Sequence, residues 1–381
     1  MKYSFVIPTY NKKDYLRRTL EALNHQEGFT KSDYETIVID DGSDDDAFSF
    51  IKKDNFNYRL NYIYLERGVY SCRARTRNYG INAARGDYIN FIDDDIVVNK
   101  DYLKQLDRYY KYSDNLLIVG TRINCPVKLL EELEPGEIKK MAFQPGNAAD
   151  MLEERHLTFH SLSYNLSTQQ YPWMMTVTCN LSIPRKKLTD IGGFDEKFTK
   201  WGFEDLELGY RLYKNGIKFV VNNNLLAFHQ EHPRAPEGEN NFAHFVKKCQ
   251  EVFDEIDPTR MLTIYGLNTG DADKLKIFRN YKGEIAQRKT IIFREKQDLE
   301  EVKKKILEFS GEKRMEITVK DYVETTDLDI WIQMMEVDKA VVNYIPASAV
   351  LDKASAVALF DRAVLKRPRG KLKKAKGERR K

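Results

Sequence analysis

Along the first 120 residues, short apolar runs alternate with segments of helical period. Tyr3–Pro8, Glu35–Asp40, Leu60–Leu65, Tyr88–Ile92 and Leu116–Val119 read as strands, with helices or helical turns at Asp14–Leu23, Asp45–Lys53, Ser71–Ala84 and Lys100–Tyr112 between them. Runs that stay apolar on both faces belong to buried strands, so the pattern predicts a mainly parallel sheet covered by helices on either side. Ligands of such sheets bind beyond the carboxyl ends of the strands, which directs attention to the polar residues just after each run.

From Thr121 to Trp173 the chain is polar and broken by Pro126, Pro135, Pro145 and Pro172, and it reads as long connections over the ligand-binding face. Thr176–Pro184, Phe219–Val221 and Leu225–Phe228 read as further strands, and Glu204–Asn215 as a helix stopped by Gly216. Beyond about Met261 a second pattern begins. Strands at Thr290–Phe293, Met315–Val319 and Ala340–Ile345 surround helices at Asp298–Phe309, where Leu299, Val302, Ile306 and Phe309 share a face, and at Leu328–Val337. The expected organisation is a large α/β domain over 1–260, a smaller α/β domain over 261–365 and a tail over 366–381.

Composition narrows the class. With 381 residues, 42% hydrophobic and 31% charged, and a mean hydropathy of −0.59, the chain is globular, and no window approaches the roughly 18 apolar residues of a membrane span. The opening MKYSFVIPTYN runs from strand to turn without the apolar core of a signal peptide, so a cytoplasmic location is expected. Cys72, Cys125, Cys179 and Cys249 lie far apart with no CxxC pair, which predicts reduced thiols rather than a disulfide framework or a zinc site. The net charge of +4 is uneven: ten Lys/Arg and one Glu give Lys366–Lys381 a net of +9, leaving −5 for residues 1–365.

Candidate chemistry follows the strands. Asp40-Asp41-Gly42-Ser43 ends the second run, where a carboxylate can accept a base N–H or a ribose hydroxyl. Asp93-Asp94-Asp95 ends the fourth; strand alternation would project Asp93 and Asp95 the same way and Asp94 away, and paired carboxylates there suit a hard divalent ion on a diphosphate. Arg73, Arg75 and Arg77 can clamp phosphate oxygens. Gly192-Gly193-Phe194-Asp195 and Trp201-Gly202-Phe203-Glu204-Asp205 suggest a shaped loop delivering Glu204 and Asp205 to a helix N-terminus, whose dipole favours the ionised, proton-accepting form. His229-Gln230-Glu231-His232 follows another strand-like run, and an imidazole beside carboxylates suits Mn²⁺-like ions. His156 and His160 have HxxxH spacing, but Leu157 replaces the glutamate a zinc protease requires.

Taken in order, FVIPTYN, VIDDGS, TRNYG, FIDDD, IGGFDE and WGFEDLELGYRL, followed by AFHQE, resemble an inverting GT-A glycosyltransferase of the family 2 type over about residues 1–235. The last two stretches are most similar to the catalytic modules of chondroitin- and hyaluronan-type polymerases and to galactosyl- and N-acetylgalactosaminyltransferase modules. The resemblance implies a nucleotide-diphospho-sugar transferase domain over 1–260 with a nucleotide-sugar donor, a UDP-sugar above all. Pro8, Tyr10 and Asp41 would line the nucleotide pocket with Asp40 behind them. Arg77 would approach the donor. Asp93 and Asp95 would form the DxD pair, with Asp94 counted in the donor site. Asp93, Asp95 and His229 would hold Mn²⁺ or Mg²⁺. Asp205 would be the general base, Glu204 would orient the acceptor or the base, and Asn180 and Trp201 would border an acceptor that is a glycan, a lipid-linked glycan or a peptide.

The pattern departs from the family at Ile96, which takes the place of a further acid, and in the additional arginines Arg73 and Arg75. A single module without a membrane span also differs from a two-headed polymerase or a processive membrane synthase. A sugar nucleotidyltransferase would need a glycine-rich phosphate loop where this chain has IPTYN. The tail offers a non-catalytic alternative: it has no aromatic for base stacking, so specific nucleic-acid binding is not expected, whereas recruitment to an anionic membrane surface is.

Overall fold

The computed structural model describes residues 1–144, 147–153, 155–161, 164–169, 171–233, 241–252, 285, 287–309, 315–335 and 340–346. The expected boundary near residue 260 and the basic stretch Lys366–Lys381 lie outside the described residues. Eight strands form the main sheet: β1 (Tyr3–Thr9), β2 (Tyr34–Asp40), β3 (Arg59–Tyr64), β4 (Tyr88–Ile92), β5 (Ile96–Val98), β6 (Leu116–Cys125), β7 (Asn180–Pro184) and β8 (Lys218–Gln230). Their order is β3-β2-β1-β4-β7-β6-β8-β5. The β3-β2-β1-β4 half is parallel, as the apolar runs predict. Beyond it, β7 runs antiparallel to both β4 and β6, and β5 runs antiparallel to β8, so the sheet is mixed. β1 and β2 are almost wholly buried, because helices Lys13–Leu23 and Arg73–Ala83 cover opposite faces.

Two expectations change. The stretch after Thr121 is not simply irregular: β6 continues to Cys125, and short helices follow at Val127–Glu132, Pro135–Ala142 and Arg155–Ser161. The two strand-like runs at 219–221 and 225–228 are one strand, β8, interrupted by a bulge. Gly120 pairs with Asn222 while Thr121 pairs with Leu226. The polar run Asn222-Asn223-Asn224 at this bulge breaks the apolar pattern without ending the strand.

A second, all-parallel sheet follows, with order β11-β10-β9, from β9 (Gln287–Phe293), β10 (Met315–Asp321) and β11 (Ala340–Pro346). Val302 and Ile306 of helix Leu299–Phe309 pack on it with Ile317, Val319 and Val342. It docks on the main sheet through helix Leu328–Met334. Gln333 grips the Val221 backbone from both sides, with 2.8 Å bonds to its N–H and its carbonyl. Among the described residues no helix is long and apolar enough to cross a membrane.

Candidate active site

The ends of β1 and β2 are laced together. Asn11, held at φ 52°, donates its amide N–H to Ser43 Oγ and accepts the Asp44 N–H, each at 2.9 Å. Asp40 is consumed by this turn: its carboxylate accepts the Ser43 N–H at 2.7 Å and the Tyr62 hydroxyl. Asp41 turns to Arg67 instead. Its Oδ2 accepts Arg67 Nη1 at 2.8 Å, while Oδ1 is buried with no partner among the described residues. The Arg67 guanidinium lies 3.7 Å from the centroid of the half-exposed Tyr10 ring. Gly42, at φ 81°, permits this approach, since a Cβ there would come within 2.6 Å of Arg67. Pro8 sits opposite Ile39 near the end of the β1–β2 pair. The sequence reading named Tyr10 and Asp41 but missed Arg67, which has no motif and reaches them only through the fold.

The three aspartates are arranged differently from the strand expectation. β4 ends at Ile92, so Asp93–Asp95 form a turn and alternation does not apply. Asp94 does not point away: its Oδ2 accepts Thr9 Oγ1 at 2.8 Å, and its Oδ1 lies 3.6 Å from Lys12 Nζ. Lys12 also donates to Asp95. Burial works against the Lys12 charge, but Asp94 and Asp95 outweigh it and raise its pKa. Asp95 Oδ2 lies 3.0 Å from His232 Nε2 and 3.6 Å from His229 Nε2. Burial would raise the Asp95 pKa, but the two histidines and Lys12 hold it well below the carboxylate range. Asp95, His229 and His232 bring one ligand atom each within 4.8 Å of the others. Of the expected set, Asp95 and His229 lie together, joined by His232, whereas Asp93 lies against Arg77. Two features outside any local pattern bring the histidines to Asp95. The short strand β5 pairs Ile96 with His229, and the Gln230 N–H donates to the Asp95 carbonyl at 2.9 Å.

Arg77 is buried between two acidic elements. Nη1 donates to Glu204 Oε1 at 2.9 Å and Nη2 to Asp93 Oδ1 at 3.3 Å. It thus ties the acidic turn to helix Glu204–Lys214. That helix begins from Phe203 in a left-handed conformation, φ 71°, of a kind that persists only where surrounding contacts enforce it. Asn241 supplies those contacts, donating to the Lys200 and Gly202 carbonyls at 2.7 and 2.9 Å and accepting the Lys200 N–H at 3.0 Å. On the helix, Gly209 lets Thr176 and the Trp173 carbonyl approach where a Cβ would clash. Asp205 is half-buried, and its Oδ1 accepts the Leu206 N–H at 2.9 Å. Desolvation, then the charge of Glu204, pushes its carboxyl up to about 7, against the pull of Arg77. The expected helix-dipole stabilisation of the ionised form is thus outweighed. Glu204 Oε2 is buried without a partner among the described residues, and Trp201 stands 59% exposed beside it in the chain.

Asn180 does not border the site as expected. It is fully buried, and its carboxamide is consumed by Tyr102 OH, the Thr121 carbonyl and the Leu225 carbonyl at 2.8–2.9 Å. It ties β7 to the β6–β8 bulge. His156 is likewise a core residue: burial lowers its pKa to about 4.

A mixed α/β sheet whose strand ends gather an acidic turn and a carboxylate-bearing helix end is the arrangement of the GT-A class of sugar-transferring folds. Residues 4–169 match the family described as glycosyl transferase family 2, and residues 158–232 match the N-terminal domain of galactosyltransferase. Across residues 4–232 the chain is thus similar to glycosyltransferases, in its first part to those of family 2. It is 30% identical over 263 residues to the glycosyltransferase YfnE of Bacillus subtilis (61% of this chain, 66% of that one). It is 30% identical over 267 residues to validoxylamine A glucosyltransferase of Streptomyces hygroscopicus subsp. limoneus (66% and 58%). With chondroitin synthase of Escherichia coli it shares 30% over 242 residues (60% and 35%). The matched stretch thus spans less than two thirds of each of these relatives.

Proposed function

We propose that residues 1–260 form a metal-dependent inverting transferase domain that moves a hexosyl or N-acetylhexosaminyl unit from a UDP-sugar to an acceptor hydroxyl. The acceptor is a glycan, a lipid-linked glycan or a peptide. The observation that carries this reading is the Asp93–Arg77–Glu204 bridge, which sets the helix end bearing Asp205 against the acidic turn. Tyr10, Arg67 and the unpartnered oxygen of Asp41 suit a nucleobase, with a ring to stack on and a carboxylate to accept an N–H.

Asp205, poised near neutrality, takes the proton of the acceptor hydroxyl. The acceptor oxygen bonds to the anomeric carbon as the bond to the diphosphate oxygen breaks, and that electron pair leaves with the nucleoside diphosphate. A single displacement inverts configuration, and Glu204, fixed by Arg77, orients the reacting pair. Asp95, His229 and His232 fit a divalent cation: they offer one oxygen and two nitrogen donors, and Asp95 Oδ1 is buried without a partner among the described residues. Such an ion, Mn²⁺ or Mg²⁺, would offset charge on the leaving diphosphate.

The test is release of UDP from UDP-glucose, UDP-galactose and their N-acetylamino forms by the purified chain, with Mn²⁺ or with EDTA, and NMR assignment of the product anomer. A retained anomeric configuration, or turnover that EDTA leaves unchanged, would overturn the mechanism. Thermal shifts with UDP, GDP, CDP, dTDP and ADP select the donor series; no response to any of them would overturn the donor reading.

The same proposal makes 261–365 an accessory domain and places the enzyme in the cytoplasm, drawn to the inner membrane face by the basic 366–381 tail. Unchanged flotation with anionic liposomes after deletion of the tail would dismiss that attachment.

A further inference from the structure

The run Asn222-Asn223-Asn224 is not used by the catalytic chemistry. It forms the bulge in β8, held from within by Asn222, whose Oδ1 accepts the N–H of Asn224 at 2.9 Å and of Leu225 at 3.2 Å. A bulge re-aims side chains, and this one turns Asn223 and Asn224 into a partly enclosed cavity of about 260 Å³. The opposite wall belongs to the small sheet. The loop after β10 contributes Glu324 and Thr325, and the end of β11 contributes Tyr344 and Pro346. The cavity therefore lies at the carboxyl edge of a parallel α/β sheet, where such sheets bind ligands. It is closed off by the main sheet about six residues before His229, roughly 20 Å along β8 at ~3.3 Å per residue.

The lining carries polar atoms that find no partner among the described residues. Asn223 is only 8% exposed, yet among the described residues neither atom of its carboxamide has a hydrogen-bond partner. Thr325 is equally buried, and its hydroxyl has no partner there either. Buried polar atoms left unpaired are costly, so a ligand or water would satisfy all three. Their chemistry selects the ligand. A carboxamide and a hydroxyl both donate and accept, as sugar hydroxyls do, and the rings of Tyr164 and Tyr344 add apolar surface. Charge disfavours anions. The Arg108 guanidinium is already paired with Asp327 at 2.8 Å and Asp329 at 3.1 Å. The buried Lys139 behind the wall donates to Asn224 Oδ1 at 3.0 Å and to the Asn223 carbonyl at 3.4 Å, with Glu324 near enough to favour its charge. Among the described residues no unpaired cation therefore faces the cavity. The volume falls just below the ~300 Å³ at which pockets for larger ligands begin, which suits one ring.

We propose that this junction cavity is a second sugar-binding site, distinct from the donor cleft, that holds one neutral pyranose unit; that the unit comes from a glycan rests on the function proposed above. The experiment is isothermal titration and saturation-transfer NMR of the full chain with methyl β-glucoside, methyl β-galactoside and methyl N-acetyl-β-glucosaminide, with glucuronate as the anionic control. All are run with UDP and Mn²⁺ present to occupy the donor cleft. At least one neutral glycoside should bind, glucuronate should bind more weakly, and Asn223→Leu and Thr325→Val should each weaken binding about tenfold or more. Neither substitution removes a hydrogen bond within the described residues, so both variants should fold and bind UDP as the parent does. No neutral glycoside bound, tighter binding of glucuronate, or binding unchanged in both variants would overturn the site. Failure of UDP binding alone would overturn the donor reading instead and leave this one standing.

Discussion

Asp205→Asn separates the two things this residue does. The carboxyl ordinarily titrates near 3.8, and burial beside Glu204 moves it to about 7. In the folded state it therefore holds a proton over a pH range in which the unfolded chain has lost it. Because its folded pKa is raised, its contribution to stability falls as pH rises from about 4 to about 7, and the full penalty applies above 7. The displacement at 1.36 kcal/mol per pH unit gives an upper bound near 4 kcal/mol, and partial exposure reduces this to roughly 1–2 kcal/mol. Asparagine keeps the bond from the Leu206 N–H without the charge. The variant should thus be more stable than the parent by that amount at pH 8 and equal to it at pH 4. Loss of the base should lower kcat about 10²–10⁴-fold with the UDP dissociation constant unchanged. Urea denaturation at the two pH values, UDP-release kinetics and UDP titration read these separately. A variant keeping a tenth of the parent turnover, or one less stable than the parent at pH 8, would refute the reasoning.

Other perturbations test the remaining contacts. The wild-type rate should rise with pH through about 7 as Asp205 ionises; a rate flat from pH 5 to 8 would remove Asp205 as the base. Arg77→Met leaves Glu204 and Asp93 without their cation and should cost roughly 3–5 kcal/mol in urea denaturation. It should also shift the rising limb of the pH–rate profile to higher pH, because Arg77 pulls the Asp205 pKa down. His232→Ala should raise the Mn²⁺ concentration for half-maximal activity at least about tenfold, and an unchanged titration would remove it from the ligand set. Asn180→Ala strips the Tyr102 hydroxyl and two buried carbonyls of a partner and should cost about 3 kcal/mol or more, with acceptor KM unmoved in the folded enzyme.

What the sequence determines by itself here is local. The apolar runs of β1, β2 and β4 and the turn residues behind them locate Asp40, Asp41 and Asp93–Asp95, because a buried parallel strand writes its length in consecutive apolar positions. The six ordered motifs likewise place Glu204 and Asp205 at a helix start. Tertiary structure decides everything that depends on neighbours distant along the chain. Lys12 and Arg67 carry no pattern of their own, and His232 lies in a run from which only His229 was assigned a role; all three join the site only when β1, the segment after β3 and the end of β8 converge. Asn180 reads like any polar residue after a turn until its three partners show it to be a structural tie. The ionisation of Asp205 shows the same division: a helix start tells only of the dipole, whereas the closing of the fold over Glu204 and Arg77 sets the desolvation that outweighs it. Contacts between residues a hundred positions apart are properties of packing, and composition and periodicity do not encode them.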